Sequence, residues 1–183
     1  MNSKVQIVNQ ALVVLGEAPL DIFPNGSKYS TIAATLWDSS LDAVLRSHPW
    51  NFAVKREILP ELADPPKYDY SAAFNLPTDC LRILDVETDD YRVEGRTILA
   101  DESSLSIRYI ARIVDVTVYD SLFIEALSTY LAWRMAYSIT KSEAVRDANW
   151  NAYKEIMGLA RVVDAQEEPT PEFEESSLIT VRY

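Results

Sequence analysis

Pro49 constrains this chain more than any other single residue, because it sits inside Leu45 to Arg56, LRSHPWNFAVKR, where the hydrophobic period changes. Proline has no N–H with which to continue a helix and it biases the preceding His48 toward an extended backbone, so the helical spacing upstream must stop there. Downstream, alternation by two predicts a strand from Trp50 to Leu59. It would carry Trp50, Phe52, Val54 and Ile58 on one face and Asn51, Lys55 and Glu57 on the other. Pro49, Trp50 and Phe52 are therefore expected to form a structural hinge between a helical layer and a sheet. Burying a ring of Phe size there would contribute roughly 1.5 to 3 kcal/mol.

The rest of the chain divides around that hinge. Ile7, Val8, Ala11, Leu12, Val14 and Leu15 repeat at helical spacing behind a Ser3 cap, and Gly16 with Pro19 ends the run. Ala33, Leu36, Trp37, Leu41, Val44 and Leu45 mark a second helix that stops at His48. A third opens at Asp120 and carries Leu122, Phe123, Ala126, Leu127, Tyr130, Leu131 and Met135. Thr140-Lys141-Ser142-Glu143 has capping-box form and would open a fourth, with Trp150, Tyr153, Ile156, Met157, Ala160 and Val163 on one face.

Between the helical pairs the period is mostly two. Tyr68, Tyr70, Ala72, Phe74 and Leu76 alternate on one face, and 82–88, 91–94, 96–100 and 105–112 read as further strands. Glu94-Gly95 and Asp101-Glu102 fit tight turns between them. The predicted fold is α+β: a four-helix bundle (1–49 and 113–165), an antiparallel β insertion in the form of a small sheet or barrel (50–112), and an extended C-terminal tail (166–183).

Composition excludes several function classes. With one cysteine (Cys80), one histidine (His48) and four glycines in 183 residues, the chain has no intrachain disulfide, no thiolate metal cluster and no phosphate-cradling glycine loop. No cofactor or metal is expected. A net charge of −11 disfavours gripping nucleic acid by its phosphates, although an acidic wall suits a conduit through which DNA slides. No apolar run reaches the roughly 18 residues of a membrane span and no secretory signal opens the chain, so a soluble protein, made and used without export, is expected.

Three constellations of residues invite a chemical reading. Cys80 with His48 as base would make a nucleophile, but Cys80 lies in an apolar strand context, where cysteines are commonly buried, and His48 lies at a helix terminus. Asp79, Asp120 and Glu125 could supply a carboxylate pair for glycan hydrolysis. Against this, Asp79 follows a Pro-Thr turn and Asp120 reads as a cap. Tyr68, Tyr70 and Phe74 could stack bases, yet alternation on one strand face is more often core. Lys55, Arg56, Arg82, Arg96, Arg108 and Arg112 cluster the positive charge in the β insertion, where acidic neighbouring subunits are the expected partner. In the tail, Gln166 to Ser177 is acidic and proline-containing, which predicts a mobile tether. Leu178 to Tyr183 is strand-prone, and its burial would need another chain.

In order and spacing, HPWNFA with Lys55-Arg56, then Leu76-Pro77-Thr78-Asp79-Cys80-Leu81-Arg82-Ile83-Leu84, Glu94-Gly95-Arg96, Arg108-Tyr109-Ile110 and Phe123-Ile124-Glu125-Ala126-Leu127 resemble the head-to-tail adaptor, or tail tubular protein A, family of short-tailed bacteriophages. The resemblance covers most of the chain from Val5 to Ala165. It implies a structural, non-enzymatic protein at the head–tail junction of the virion, synthesised in the host cytoplasm. The family assembles as a ring, here expected to have twelve copies, beneath the portal protein. The ring extends the DNA channel and seats the downstream tail or nozzle protein, with no membrane involved. It also implies portal binding through the C-terminal segment, and hence through Leu178, Ile179, Val181 and Tyr183. The alternative is a tail-associated cell-wall glycan hydrolase using the carboxylate pair.

Overall fold

The computed structural model of the chain describes residues 3–167. Helix α1 (Lys4–Val14) opens on a reciprocal capping box. The Ser3 hydroxyl accepts from the Gln6 N–H at 3.3 Å and the Ser3 N–H donates to Gln6 Oε1 at 3.0 Å. Ile7, Val8, Ala11 and Leu12 are buried, whereas Val14, expected on the same face, is exposed: it ends the helix at the margin of the buried stripe, about 20° round from Ile7 on the side away from Leu12. Helix α2 (Lys28–Ser47) opens on Ser27 and stops at His48, whose extended backbone is the conformation a following proline imposes.

Helix α3 (Ser121–Thr140) opens on Asp120, which accepts from the Phe123 N–H at 2.7 Å, and ends at Lys141 in the left-handed region. Helix α4 (Glu143–Glu167) is capped by Ser142, which accepts from the Val145 N–H at 3.3 Å, and not by Thr140 as the spacing suggested. Thr140 is the last residue of α3; its hydroxyl donates to the Ala136 carbonyl and accepts from the N–H of Ser142, the residue that caps α4, and does not itself reach the first turn of α4. Helix α4 also runs two residues past Ala165, into the expected tail. Leu178, Ile179, Val181 and Tyr183, with the remainder of the expected tail from Glu168, lie outside the described residues.

Helix α3 is the element on which α1, α2 and α4 all pack. Its Phe123, Ala126, Leu127, Leu131, Ala132, Met135 and Ala136 are fully enclosed, and the small alanines let neighbouring helices approach closely. Tyr153, Ile156, Met157 and Ala160 of α4 join the same core, while Trp150 and Val163, expected on that face, are more than a third exposed.

The β region forms two three-stranded antiparallel sheets where a single sheet or barrel was expected. One has β6 (Ser104–Ala111) between β1 (Val54–Pro60) and β3 (Cys80–Val86). The other has β5 (Thr97–Ala100) between β2 (Ala72–Asn75) and β4 (Tyr91–Glu94). Leu59, Leu105, Ile107 and Tyr109 from the first sheet pack with Ala72, Phe74, Ile98 and Ala100 from the second in a separate core. Strand β6 serves both cores, since its neighbouring residue Ile110 is buried among the helices.

The strand expected from Trp50 begins later. Asn51–Ala53 is a 3-10 turn, closed by the Ala53 N–H donating to the Trp50 carbonyl at 2.8 Å, and it breaks the period of two. Consequently Ile58 is 69% exposed and Leu59 is buried. Lys55 and Glu57, expected on the outer face, share the inner face with Leu59, opposite Tyr109 and Ile107. The alternating run from Tyr68 to Leu76 is strand only over Ala72–Asn75, because Asp69 has positive φ and interrupts it.

Candidate functional site at the helix–sheet junction

The residues around Pro49 deliver two rings into the helical core. Trp50 is buried, and its indole N–H donates to the Val44 carbonyl at 3.0 Å, satisfying a group that α2 leaves open at its C-terminus. Its ring meets Phe123 edge-on at 5.1 Å and His48 at 4.9 Å. Phe52 and Tyr119 flank the same Phe123 at 5.0 and 4.7 Å. These spacings are those at which ring edges and faces attract. The Tyr119 hydroxyl donates to the Ile113 carbonyl at 2.7 Å, and burial pushes its pKa up to about 12.

Below this aromatic cluster lies a polar interlock. Lys55 Nζ donates to Asp79 Oδ2 at 2.7 Å, and the single hydroxyl proton of Tyr109 is shared between Glu57 Oε2 at 3.1 Å and Asp79 Oδ1 at 3.2 Å. Burial alone would raise the Asp79 carboxyl. The hydrogen bonds and charge of Lys55, with the Tyr109 hydroxyl, outweigh it and hold that carboxyl below its ordinary value. Burial, then the neighbouring carboxylates, push the Tyr109 phenol well up. The Arg112 N–H donates to the Asp79 carbonyl at 2.7 Å, while its guanidinium reaches back to α2, to Asp42 at 2.6 Å and Asp38 at 2.7 Å. Arg96 donates to the carbonyls of Pro77 and Cys80, and Arg46 to that of Leu81 at 2.6 Å.

The chemical candidates are drawn into this framework. Cys80 lies in the core between the sheets, where burial raises its thiol pKa, and His48 packs against the Trp50 ring. A buried thiol kept protonated is a poor nucleophile. Asp79 belongs to the interlock, Asp120 caps α3, and Glu125 is exposed on α3, about 140° round the helix from Asp120. Tyr68, Tyr70 and Phe74 do not form one surface: Tyr68 and Tyr70 line the same surface hollow, where Tyr70 donates to Asp90, while Phe74 is fully buried. Among the described residues there is no cluster of three or more histidine, cysteine or carboxylate groups placed to hold a metal, and no helix long and apolar enough to cross a membrane.

Sequence reading missed the partners of Arg112 and the role of Tyr109. The available signal was the phase of β6, which places Tyr109 with Leu105 and Ile107. A phenol on an inward face needs an acceptor, and polar Glu57 and Lys55 lie opposite. Neither a scan against protein-family models nor a search of curated proteins finds a match to this chain.

Proposed function

We propose that this chain is a structural head-to-tail adaptor of a short-tailed bacteriophage, a ring subunit seated beneath the portal protein, and that it is not an enzyme. One observation carries the reading: the separate segments that resemble the adaptor family hold one another in space. Trp50 and Phe52 meet Phe123, Lys55 and Tyr109 meet Asp79, and Arg96 holds the carbonyls of Pro77 and Cys80. A joint tied by packing and charge at once suits a part that transmits load between head and tail. In this reading the four helices act as one bundle, and the acidic lumen of the ring lets DNA pass without adhering. The ring holds about twelve copies at the head–tail junction, assembled from subunits made in the host cytoplasm, and a tail or nozzle protein docks below. Leu178, Ile179, Val181 and Tyr183 grip the portal.

The test is mass, measured on the protein alone and after mixing with the portal ring encoded by the same genome. The expected result is a complex of portal with about one adaptor per portal subunit, lost in the Ile179→Asp, Val181→Asp variant. Absence of any complex with the parent protein overturns the reading. So does release of soluble glycan from purified peptidoglycan that an Asp79→Asn or Glu125→Gln substitution abolishes.

A further inference from the structure

The outer face of the first sheet carries a groove of 520 Å³ walled by Pro49, Asn51, Val54, Arg56, Leu84 and Arg108. Among the described residues its two arginines are the only charged ones in that wall, and they lie directly opposite each other on β1 and β6. Like charges in that position repel, and among the described residues neither arginine forms an ion pair. Arg108 Nε is enclosed without a hydrogen-bond acceptor, a state that folded proteins rarely leave uncorrected. The groove therefore has the chemistry of a carboxylate receptor with apolar walls. The adjoining hollow shares both arginines and adds Glu57, Asp85 and Glu87. Asp85 lies opposite Arg108 on β3 without forming an ion pair with it, and these carboxylates would confine an acidic occupant to the side bounded by Pro49, Val54 and Leu84.

The other end of the groove points to the occupant. Asn51 also walls a 320 Å³ hollow bounded by Trp50, Phe52, Asp120, Leu122 and, from α4, Ala160 and Val163. Val163 lies one helical turn before Glu167, so the chain leaves α4 near the hollow that shares Asn51 with the arginine groove. The next ten residues, 168–177, contain Glu168, Glu172, Glu174 and Glu175 and no lysine or arginine. At about 3.3 Å per extended residue, Glu172 to Glu175 can reach roughly 17 to 26 Å from the end of the helix. Tethering gives this segment an effective concentration in the millimolar range, far above that of a second copy free in dilute solution.

We propose that the acidic segment 168–177 of this chain occupies its own Arg56–Arg108 groove, with carboxylates from Glu172, Glu174 or Glu175 on the two guanidiniums and Phe173 against Pro49, Val54 and Leu84. The proposal does not rest on the adaptor reading. Were that reading also right, a portal would have to compete for a tail already held.

The test uses the full-length protein alone, with Ile58→Cys and Ser176→Cys introduced together. Ile58 is exposed on β1, two residues from Arg56 on the same face, and native Cys80 is buried. Under mild oxidation the expected product is an internal disulfide in a protein of monomer mass. Its formation should slow about tenfold with Arg56→Glu or in about 1 M salt, where the Debye length falls to about 3 Å. Adding Glu174→Arg and Glu175→Arg to the Arg56→Glu protein should restore the rate. Arg56 is exposed, so each variant should melt with its parent, and the salt series gives the same reading without any substitution at the groove. A disulfide joining two chains would assign the groove to a second copy and overturn the proposal. A disulfide indifferent to Arg56 and salt, or none at all, would overturn it as well.

Discussion

The helical core and the core between the sheets solve the same problem with different materials. Among the helices, α3 buries an almost unbroken apolar surface, and Trp50, Phe52 and Tyr119 close its end with edge-on rings around Phe123. Between the sheets the strands are short, three of them only four residues long, and β4 has no buried residue. That smaller core is bounded by Lys55, Asp79, Tyr109 and Glu57. Burial that scales with apolar area is almost indifferent to pH and salt, whereas a charged rim is sensitive to both. The comparison predicts that the two halves weaken under different conditions even if they unfold together.

The largest expected effect breaks the helical side. Trp50→Ala should lower the unfolding free energy by about 3 to 5 kcal/mol in urea titrations, since it removes a buried ring and leaves a cavity beside Phe123. Trp50→Phe should cost less, because it keeps most of the packing and gives up the bond to Val44. A Trp50→Ala protein that melts like its parent would remove the hinge from the account.

Next comes the charged rim. Asp79→Asn should cost about 1 to 2 kcal/mol at neutral pH, a charge-assisted bond discounted for partial exposure. The sign with pH follows from the depressed carboxyl. The stabilisation is present above the unfolded carboxylate value of about 3.9 and is lost as pH falls through the lower folded value. Denaturation midpoints below pH about 4 should therefore converge for parent and Asp79→Asn proteins. If the gap between them is unchanged in acid, Asp79 does not act through its charge.

Asp120→Ala should cost about 1 kcal/mol by freeing the Phe123 N–H at the start of α3, measured by the same titration. The smallest effect is expected at Glu125, which is exposed. Glu125→Gln should shift stability by less than about 0.5 kcal/mol and leave glycan release at the background level of the parent.

Much of this fold was legible because its helix ends are written in local chemistry. Ser3 with Gln6, His48 before Pro49, and Asp120 each mark a boundary that the backbone respects. The hairpin from Tyr91 to Ala100 was legible too, through Gly95, which takes the positive φ its turn requires between the paired Glu94 and Thr97. What could not be read was phase. The 3-10 turn at Asn51–Ala53 forms because Trp50 turns into the helices, a tertiary event, and it inverts the faces of β1. The interlock was hidden for the same reason, since Lys55, Asp79 and Tyr109 come together only in the inverted register. Of the candidate site residues, Trp50 and Phe52 could be found from their size and position beside Pro49. Arg112 could not, because its partners Asp38 and Asp42 lie some seventy residues away on α2.

Strand β6 gives neighbouring residues to both cores, with Tyr109 between the sheets and Ile110 among the helices. An opening of either core large enough to expose its centre must disturb the hydrogen bonds of this one strand to β1 and β3. The amides of Ile107 to Ala111 are therefore the place to look for the slowest native-state exchange with deuterium, and local opening of the sheets should reach the protons on the edge strands long before it reaches these. In kinetic terms, the central strand turns two separate reservoirs of apolar contact into a single barrier to unfolding.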